Sequence, residues 1–351
     1  NHSYLAMTVV VSWKHIIIQR GAKVNKQQKG FTLLELMIAM LLGLIIVAAG
    51  TAIFLNAQRS MGMQIGVGEV QQNANFGLSF LTYDLRHTNL NMPTGQTINY
   101  KTVGSGIIFN VANLPSSLSD TSTDLLSKQN NDEDATTGKS DQITIQFIPQ
   151  YIDTSTTPVS EDGVTKQPTT ISSNARMYNC EGNEIIFSSD NSDNLDVETV
   201  PLKPTIVQRY FVKALPQSEQ EQSANAFKRY GLYCDYGYYT ADDSTITGLG
   251  EGELLIMRDI DAFRVQLAVQ DPSKEMRYLT MDEYIALMPS KDAENAASAP
   301  VYNVMSLEVG LLVRANSKVN SAELSSKKKF LLAGTSVELD TAKTSTGYLR
   351  S

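Results

Sequence analysis

Lys29 to Leu55 reads K-G-F-T-L-L-E-L-M-I-A-M-L-L-G-L-I-I-V-A-A-G-T-A-I-F-L. From Phe31 onward this stretch is 25 residues long and carries one charge, Glu35. An apolar helix of that length crosses a bilayer core of about 30 Å, so a membrane anchor is the plain reading. Glu35 is what that reading leaves over. A carboxylate inside a spanning helix costs roughly 2.5–3.5 kcal/mol on insertion scales and marks a functional position that needs a partner.

The charge balance orients the anchor. The chain has 29 Lys+Arg against 37 Asp+Glu, a net charge of -8. Residues 1–30 hold Lys14, Arg20, Lys23, Lys26 and Lys29 and no acid; without those five bases the remainder has 24 against 37, or -13. Basic inside and acidic outside is the positive-inside pattern, with the leader in the cytoplasm. The leader's own apolar pieces, Val9-Val10-Val11 and Ile16-Ile17-Ile18, are interrupted by Lys14 and Arg20 and are too short to span. An acidic outer portion argues against nucleic acid as a main partner.

Beyond Leu55 the helical pattern turns amphipathic. Val67, Val70, Ala74, Leu78, Leu81 and Leu85 step by three or four and mark one apolar face. No proline interrupts Phe31 to Met92, and Pro93 after Asn91 is the expected stop. A helix of about 59 residues and roughly 90 Å follows from 1.5 Å per residue, far more than a bilayer needs. Its outer half therefore needs a sheet to pack on. Gly62, Gly66, Gly68 and Gly77 weaken it by up to about 1 kcal/mol each relative to alanine. Two readings of the glycines, with Gly43 and Gly50 inside the span, stay open: local melting, or close contacts between helices.

After Pro93 the chain reads as strands and polar loops. Ile143, Ile145 and Phe147 alternate with polar residues, as do Phe263, Val265, Leu267 and Val269, and Met305, Leu307, Val309, Leu311 and Val313. Such runs predict half-buried antiparallel strands whose apolar side needs a cover. Long loops are expected over 116–140, 153–173, 188–199 and 216–223. Thr280 and Glu283 form a capping box for a second helix, closed by Pro289, that packs on the sheet.

Candidates for chemistry are few. His87 is the only histidine after the leader, which removes the usual general base and the commonest metal ligand. No nucleophile elbow, phosphate-cradling loop or metal-ligand spacing is present. Asp132-Glu133-Asp134 lacks the alternating acids and glycine of a calcium loop and reads as a solvated loop. Neither a metal nor another cofactor is expected, and no enzymatic activity. Cys180 and Cys234, the only cysteines, both fall on the outer side, where a disulfide forms and persists. Bonded, they close a loop of about 54 residues worth about 4 kcal/mol on the chain-entropy model; two separate buried thiols is the other reading.

Lys29-Gly30 followed by Phe31-Thr32-Leu33-Leu34-Glu35 resembles the type III signal of type IV pilins and pseudopilins. The resemblance implies that a prepilin peptidase cuts between Gly30 and Phe31 on the cytoplasmic side and N-methylates Phe31. It also implies that Glu35 pairs with the terminal ammonium of a neighbouring subunit, an attraction that is strong in low dielectric when both charges are present. The expected fold is α+β and pilin-like. Residues 1–30 form a cleaved cytoplasmic leader, 31–55 a transmembrane segment, 56–91 the amphipathic helix half, and 92–351 a β-rich outer domain.

Four later segments narrow the resemblance to the W-type minor pilins, the PilW family. They are Ser140-Asp141-Gln142-Ile143-Thr144-Ile145, Gly231-Leu232-Tyr233-Cys234, Ile260 to Leu267, and Val304 to Arg314. The chain departs from the family at its end, Gly347-Tyr348-Leu349-Arg350-Ser351, which lacks the paired arginines before it. The family implies a subunit held in the inner membrane by a single pass, N-terminus in, until it joins the type IV pilus at or near its tip. Implied partners are the other minor pilins, the major pilin and a large tip adhesin. The alternative is a J-type minor pseudopilin of type II secretion, which shares the signal and the plan. A membrane-tethered enzyme or sensor is the third reading, disfavoured by the lone His87.

Overall fold

The computed structural model describes residues 30–93, 97–130, 140–149, 177–187, 199–200, 204–219, 228–289, 298–318, 329–338 and 348–350. The leader up to residue 29, the acidic triplet at 132–134, the loops at 153–173 and 188–198, and residues 220–223 lie outside them. The chain divides into two compact units, Asn1–Ala57 and Gln58–Ser351.

Helix α1 spans Leu33–Leu85. In the first unit it is apolar and exposed along its length, and it is long and apolar enough to cross a membrane. In the second unit its buried positions are Gly66, Val70, Gly77, Leu81 and Asp84. This line is rotated from the face expected from the sequence: Leu78 is 43% exposed, whereas Gly66 and Gly77 are buried. A Cβ at Gly77 would run into the Met257 thioether, so the glycine lets the helix lie close on the strand below.

The helix ends at Leu85, six residues short of the expected Asn91. His87 N–H already bonds Asp84 O (2.9 Å) and Thr88 N–H bonds Leu85 O (3.2 Å) in tightened turns. Asn89 and Asn91 then adopt positive φ of 66° and 55°, which asparagine tolerates. The Asn89 N–H leaves the helix ladder for Gln146 O at 3.1 Å.

The strands are β1 (Lys128–Asn130), β2 (Ser140–Phe147), β3 (Met177–Tyr178), β4 (Glu184–Phe187), β5 (Thr199–Val200), β6 (Thr205–Ala214), β7 (Tyr230–Tyr239), β8 (Leu254–Arg258), β9 (Ile260–Gln270), β10 (Met276–Thr280), β11 (Asn303–Lys318), β12 (Lys329–Leu332), β13 (Thr335–Glu338) and β14 (Tyr348–Arg350). They form a five-stranded sheet in the order β1-β2-β6-β7-β8, a four-stranded sheet β10-β9-β11-β14, a three-stranded sheet β3-β4-β5 and a hairpin β12-β13. Both larger sheets are antiparallel throughout. The departing C-terminus thus still supplies a strand, β14 on β11.

One core joins α1 to both larger sheets: Val70 and Leu81 pack with Ile143, Ile145, Tyr210 and Leu232 of the first and with Phe263, Val265 and Leu267 of the second. Tyr210 O–H donates to Asp84 Oδ2 (2.5 Å), and Asn73 Nδ2 donates to Arg258 O (2.7 Å), fixing the helix at two levels.

Two strands are buried differently from the alternation their sequences predict. β2 is buried at every position. Its outward face is covered by Ile108, Leu114, Leu118 and Leu126, which pack on Val207, Tyr239 and Leu249. The polar residues of that face bond carbonyls of the covering segment: Gln142 to Leu126 O (2.7 Å), Thr144 to Leu125 O (2.6 Å) and Gln146 to Ser105 O (2.7 Å). In β11 a bulge between Val304 and Ser306 leaves Met305 58% exposed. A second irregularity at Leu312/Val313 sends Leu312 to a small cluster with Ala262 and Val337. Helix α2 (Met281–Ala286) has the expected capping box, and Met281 and Tyr284 are fully buried.

The sheets meet at two carboxylates. Asp259 is the single residue between β8 and β9 and has φ of 59°. It accepts two bonds from Arg229 (2.8 and 2.7 Å), and its carbonyl accepts Arg314 N–H at 2.8 Å. At the start of β2, Asp141 accepts Val265 N–H (2.7 Å) and Arg264 Nη1 (3.2 Å), and Ser140 Oγ accepts Phe263 N–H (3.2 Å). β10 pairs with β9 only as far as Gln266, so these side chains satisfy N–H groups on the edge that β10 has left.

Burial pushes the Asp141 carboxyl up to about 6, against the pull of the Val265 N–H and Arg264. Because the folded value lies above the unfolded one, this proton's contribution is full below about pH 4 and is lost as pH rises toward 6. Asp141→Asn should therefore remove about 3 kcal/mol of the pH dependence of unfolding across that window, measured by denaturant titration of the detergent-solubilised chain.

Candidate functional site

The candidate site is the beginning of α1. Gly30 and Phe31 precede the helix, both exposed, Phe31 to 89%. The helix begins at Leu33, which makes Thr32 its N-cap and Glu35 its third residue. Thr32 N–H and Oγ1–H each donate to Glu35 Oε2 at 3.0 Å, and Glu35 N–H donates to Thr32 Oγ1 at 3.2 Å. Leu36 N–H closes the first helical bond to Thr32 O at 3.2 Å. This reciprocal capping box satisfies two N–H groups that a helix start otherwise leaves open.

The box was legible in Thr32-Leu33-Leu34-Glu35, which has the same spacing as Thr280-Met281-Asp282-Glu283. It changes the account of Glu35: the carboxylate has hydrogen-bond partners in its own chain, at a helix end whose dipole favours an anion. Neither bond neutralises the charge, so the argument for an external cation stands beside the local one. From Leu33 onward the helix offers Leu, Ile, Met and Val side chains outward, the surface an anchor presents to lipid.

The other sequence-derived residues lie in the second unit. A disulfide joins Cys180 to Cys234 with Cα atoms 6.1 Å apart, both residues buried. It ties the β3-β4 hairpin to β7. Beside it the Asn179 carboxamide accepts the Glu181 and Asn183 N–H groups (3.0 and 2.8 Å), and Glu181 Oε1 accepts Tyr236 N–H at 3.1 Å. His87 sits between Tyr83 and Phe147, with ring centroids 4.8 and 5.6 Å away, in a packing role. Among the described residues no three His, Cys, Asp or Glu side chains are grouped to hold a metal ion.

Residues 25–51 match the prokaryotic N-terminal methylation motif. No curated protein and no solved structure matches the chain. The motif marks a type IV pilin-like or pseudopilin protein, with processing by a prepilin peptidase and assembly with other pilins. Together with a long N-terminal apolar helix and antiparallel sheets, it gives the chain an α+β, type IV pilin-like fold.

Replacing Cys180 and Cys234 together by serine should lower stability by about 4 kcal/mol on the chain-entropy model. The denaturant midpoint of oxidised wild type against the double variant measures it, with reduced wild type expected to match the variant.

Proposed function

We propose that this chain is a minor pilin of the PilW type, a structural and non-enzymatic subunit that helps start type IV pilus assembly from a complex at the filament tip. The observation that carries the reading is the helix start: an exposed Gly30–Phe31 bond and a capped Glu35 four residues on, both inside the methylation motif, with an unbroken apolar helix behind them. Cleavage would make Phe31 the terminus and bring its amine to the same end of the helix as Glu35. A carboxylate there attracts the equivalent amine of a neighbour strongly, because the surrounding medium has a low dielectric constant.

Two further observations support the finer assignment. Segments that carry the PilW resemblance touch one another: Asp141 of the first holds Val265 and Arg264 of the third, and Arg314 of the fourth lies 3.8 Å from Asp261 of the third. The outer unit, with two large sheets and an insertion between β2 and β6, is bulky for a subunit repeated along a thin filament and suits one placed at its end. In this reading the precursor is held in the inner membrane by one pass, leader in the cytoplasm. Its partners are the other minor pilins, the major pilin and a tip adhesin, in support of motility, adhesion or DNA uptake.

Gly30→Arg should leave a full-length precursor on an immunoblot, because the peptidase accepts only a small residue before the cut; a mature band of normal intensity would remove the site assignment. Deletion of the gene should leave few or no surface pili by electron microscopy with an unchanged profile of secreted proteins. Normal pili with a secretion defect would move the chain to the J-type pseudopilins of type II secretion.

A further inference from the structure

We propose that the free edge of β11 between Ser306 and Leu312, with the groove between it and α1, takes an extended segment of another pilin as an added strand. The inference rests on the reading that the chain assembles with other pilins. Both ends of this edge are already occupied: Val304 N–H donates to Ile98 O at 2.7 Å, and β14 pairs with β11 at Arg314 and Lys318. Between them, Ser306 to Leu312 keep regular register with Ala268 to Ala262 of β9 on one side and, among the described residues, have no strand on the other. A strand edge specifies its occupant more narrowly than an apolar face does. Its row of N–H and C=O groups is matched along its length only by another extended backbone.

The other outer edges of the two larger sheets are blunted. β1 and β14 are three residues long, and β8 and β10 are five. The Arg258 carbonyl of β8 is taken by Asn73, while β1, β10 and β14 carry Lys128, Arg277 and Arg350. The β11 stretch, Ser306-Leu307-Glu308-Val309-Gly310-Leu311-Leu312, has no Lys, Arg or Pro.

Beside it lies a groove of about 410 Å³, lined by Leu78, Thr82 and Leu85 of α1 and by Leu307 and Val309 of β11. One turn of a helix, a cylinder about 10–12 Å across and 5.4 Å long, fills about 420–610 Å³ and does not fit within it. Alternate side chains of a strand do, at the two-residue period that Leu307 and Val309 already follow. Charge narrows the occupant further. Arg86 also lines the groove, is exposed, and makes no ion pair among the described residues. The segment that fits is apolar at alternate positions and carries a carboxylate for Arg86.

The test uses the full chain with a C-terminal tag, expressed with the other pilins, and measures their co-purification from detergent-solubilised membranes. Leu78→Lys puts a charge in the groove at little change in helix propensity and should lower the yield about ten-fold. Arg86→Glu should lower it about five-fold, the factor that one exposed ion pair is worth at most. Phe76→Lys, on α1 but outside the groove and 65% exposed in the native side chain, should keep the wild-type yield. A second measurement leaves the groove untouched: photo-reactive benzoylphenylalanine in place of Ser306 or of Glu308, both exposed, should capture a peptide of another pilin. The captured residue should shift by about two between the two labels, the step of a paired strand.

A shift of about four or five residues, the count of a helix over the same distance of about 7 Å, would overturn the added strand. So would capture of a second copy of this chain, or wild-type yield from Leu78→Lys. A loss from Phe76→Lys equal to that from Leu78→Lys would assign docking to the exposed face of the helix and refute the proposal. Absence of other pilins from the wild-type purification would overturn the assembly reading itself, and the inference with it.

Discussion

The second unit depends on a corner one residue long. β8 and β9 are separated only by Asp259, yet they belong to different sheets. The positive φ at that residue turns the chain, and both its carboxylate and its carbonyl are taken up. The carboxylate receives the Arg229 fork, and the carbonyl receives the Arg314 N–H. Arg314 is itself buried, 3.6 Å from Asp259 and 3.8 Å from Asp261. Removing one member of such a group strands the others in low dielectric, typically at a cost of about 3–5 kcal/mol. The corner carries the chain from one sheet into the other, and one face of the helix shares a core with both. Val70 and Leu81 do so, and Tyr210 anchors Asp84 near the end of the helix.

Much of this was visible in the residues. The apolar run, the amphipathic continuation and the Thr280 box all follow from periodicity and side-chain chemistry, and so do the alternating runs at 143–147 and 263–269. What escaped was decided by partners far away in sequence. Nothing around Ile143 announces that β2 is covered on both faces; the cover comes from Leu114, Leu118 and Leu126, in a segment whose serines and asparagines make it read as solvated loop. The helix stop at Leu85 depends on a carbonyl at Gln146 and on the close crossing of Gly106 over Asn89, where a Cβ would strike backbone. Met305 is exposed because a bulge breaks the period, and one extra residue in a strand has no signature in a hydropathy pattern.

At the candidate site the balance was reversed. Gly30, Phe31 and Glu35 lie together at the start of α1, and Thr32, to which the sequence reading gave no role of its own, completes the cap. Threonine in an apolar segment reads as neutral filler under a hydropathy argument and as a helix cap under a hydrogen-bond argument. The second argument is the one the geometry follows. The buried glycines make a similar point. Gly77 lies against β8, where a Cβ would strike the Met257 side chain, a strand contact that neither melting nor contact between helices describes.

The excursion between β2 and β6 has a bearing on how such a chain can vary. The two strands are direct neighbours, with Ile143 opposite Tyr210 and Phe147 opposite Ile206, although residues 148–204 intervene. Their register is set by the ladder and the core beneath it, and the link from the excursion back to β7 runs through the disulfide and Glu181. The entropy of closing a loop grows only with the logarithm of its length. Changes of length on either side of the segment that carries Cys180 and Glu181 therefore change little in the free energy of the helix-bearing core, provided that those two ties are kept. Such a chain can vary between β2 and β6 in steps of dozens of residues while the apolar helix start that carries the methylation motif stays as it was.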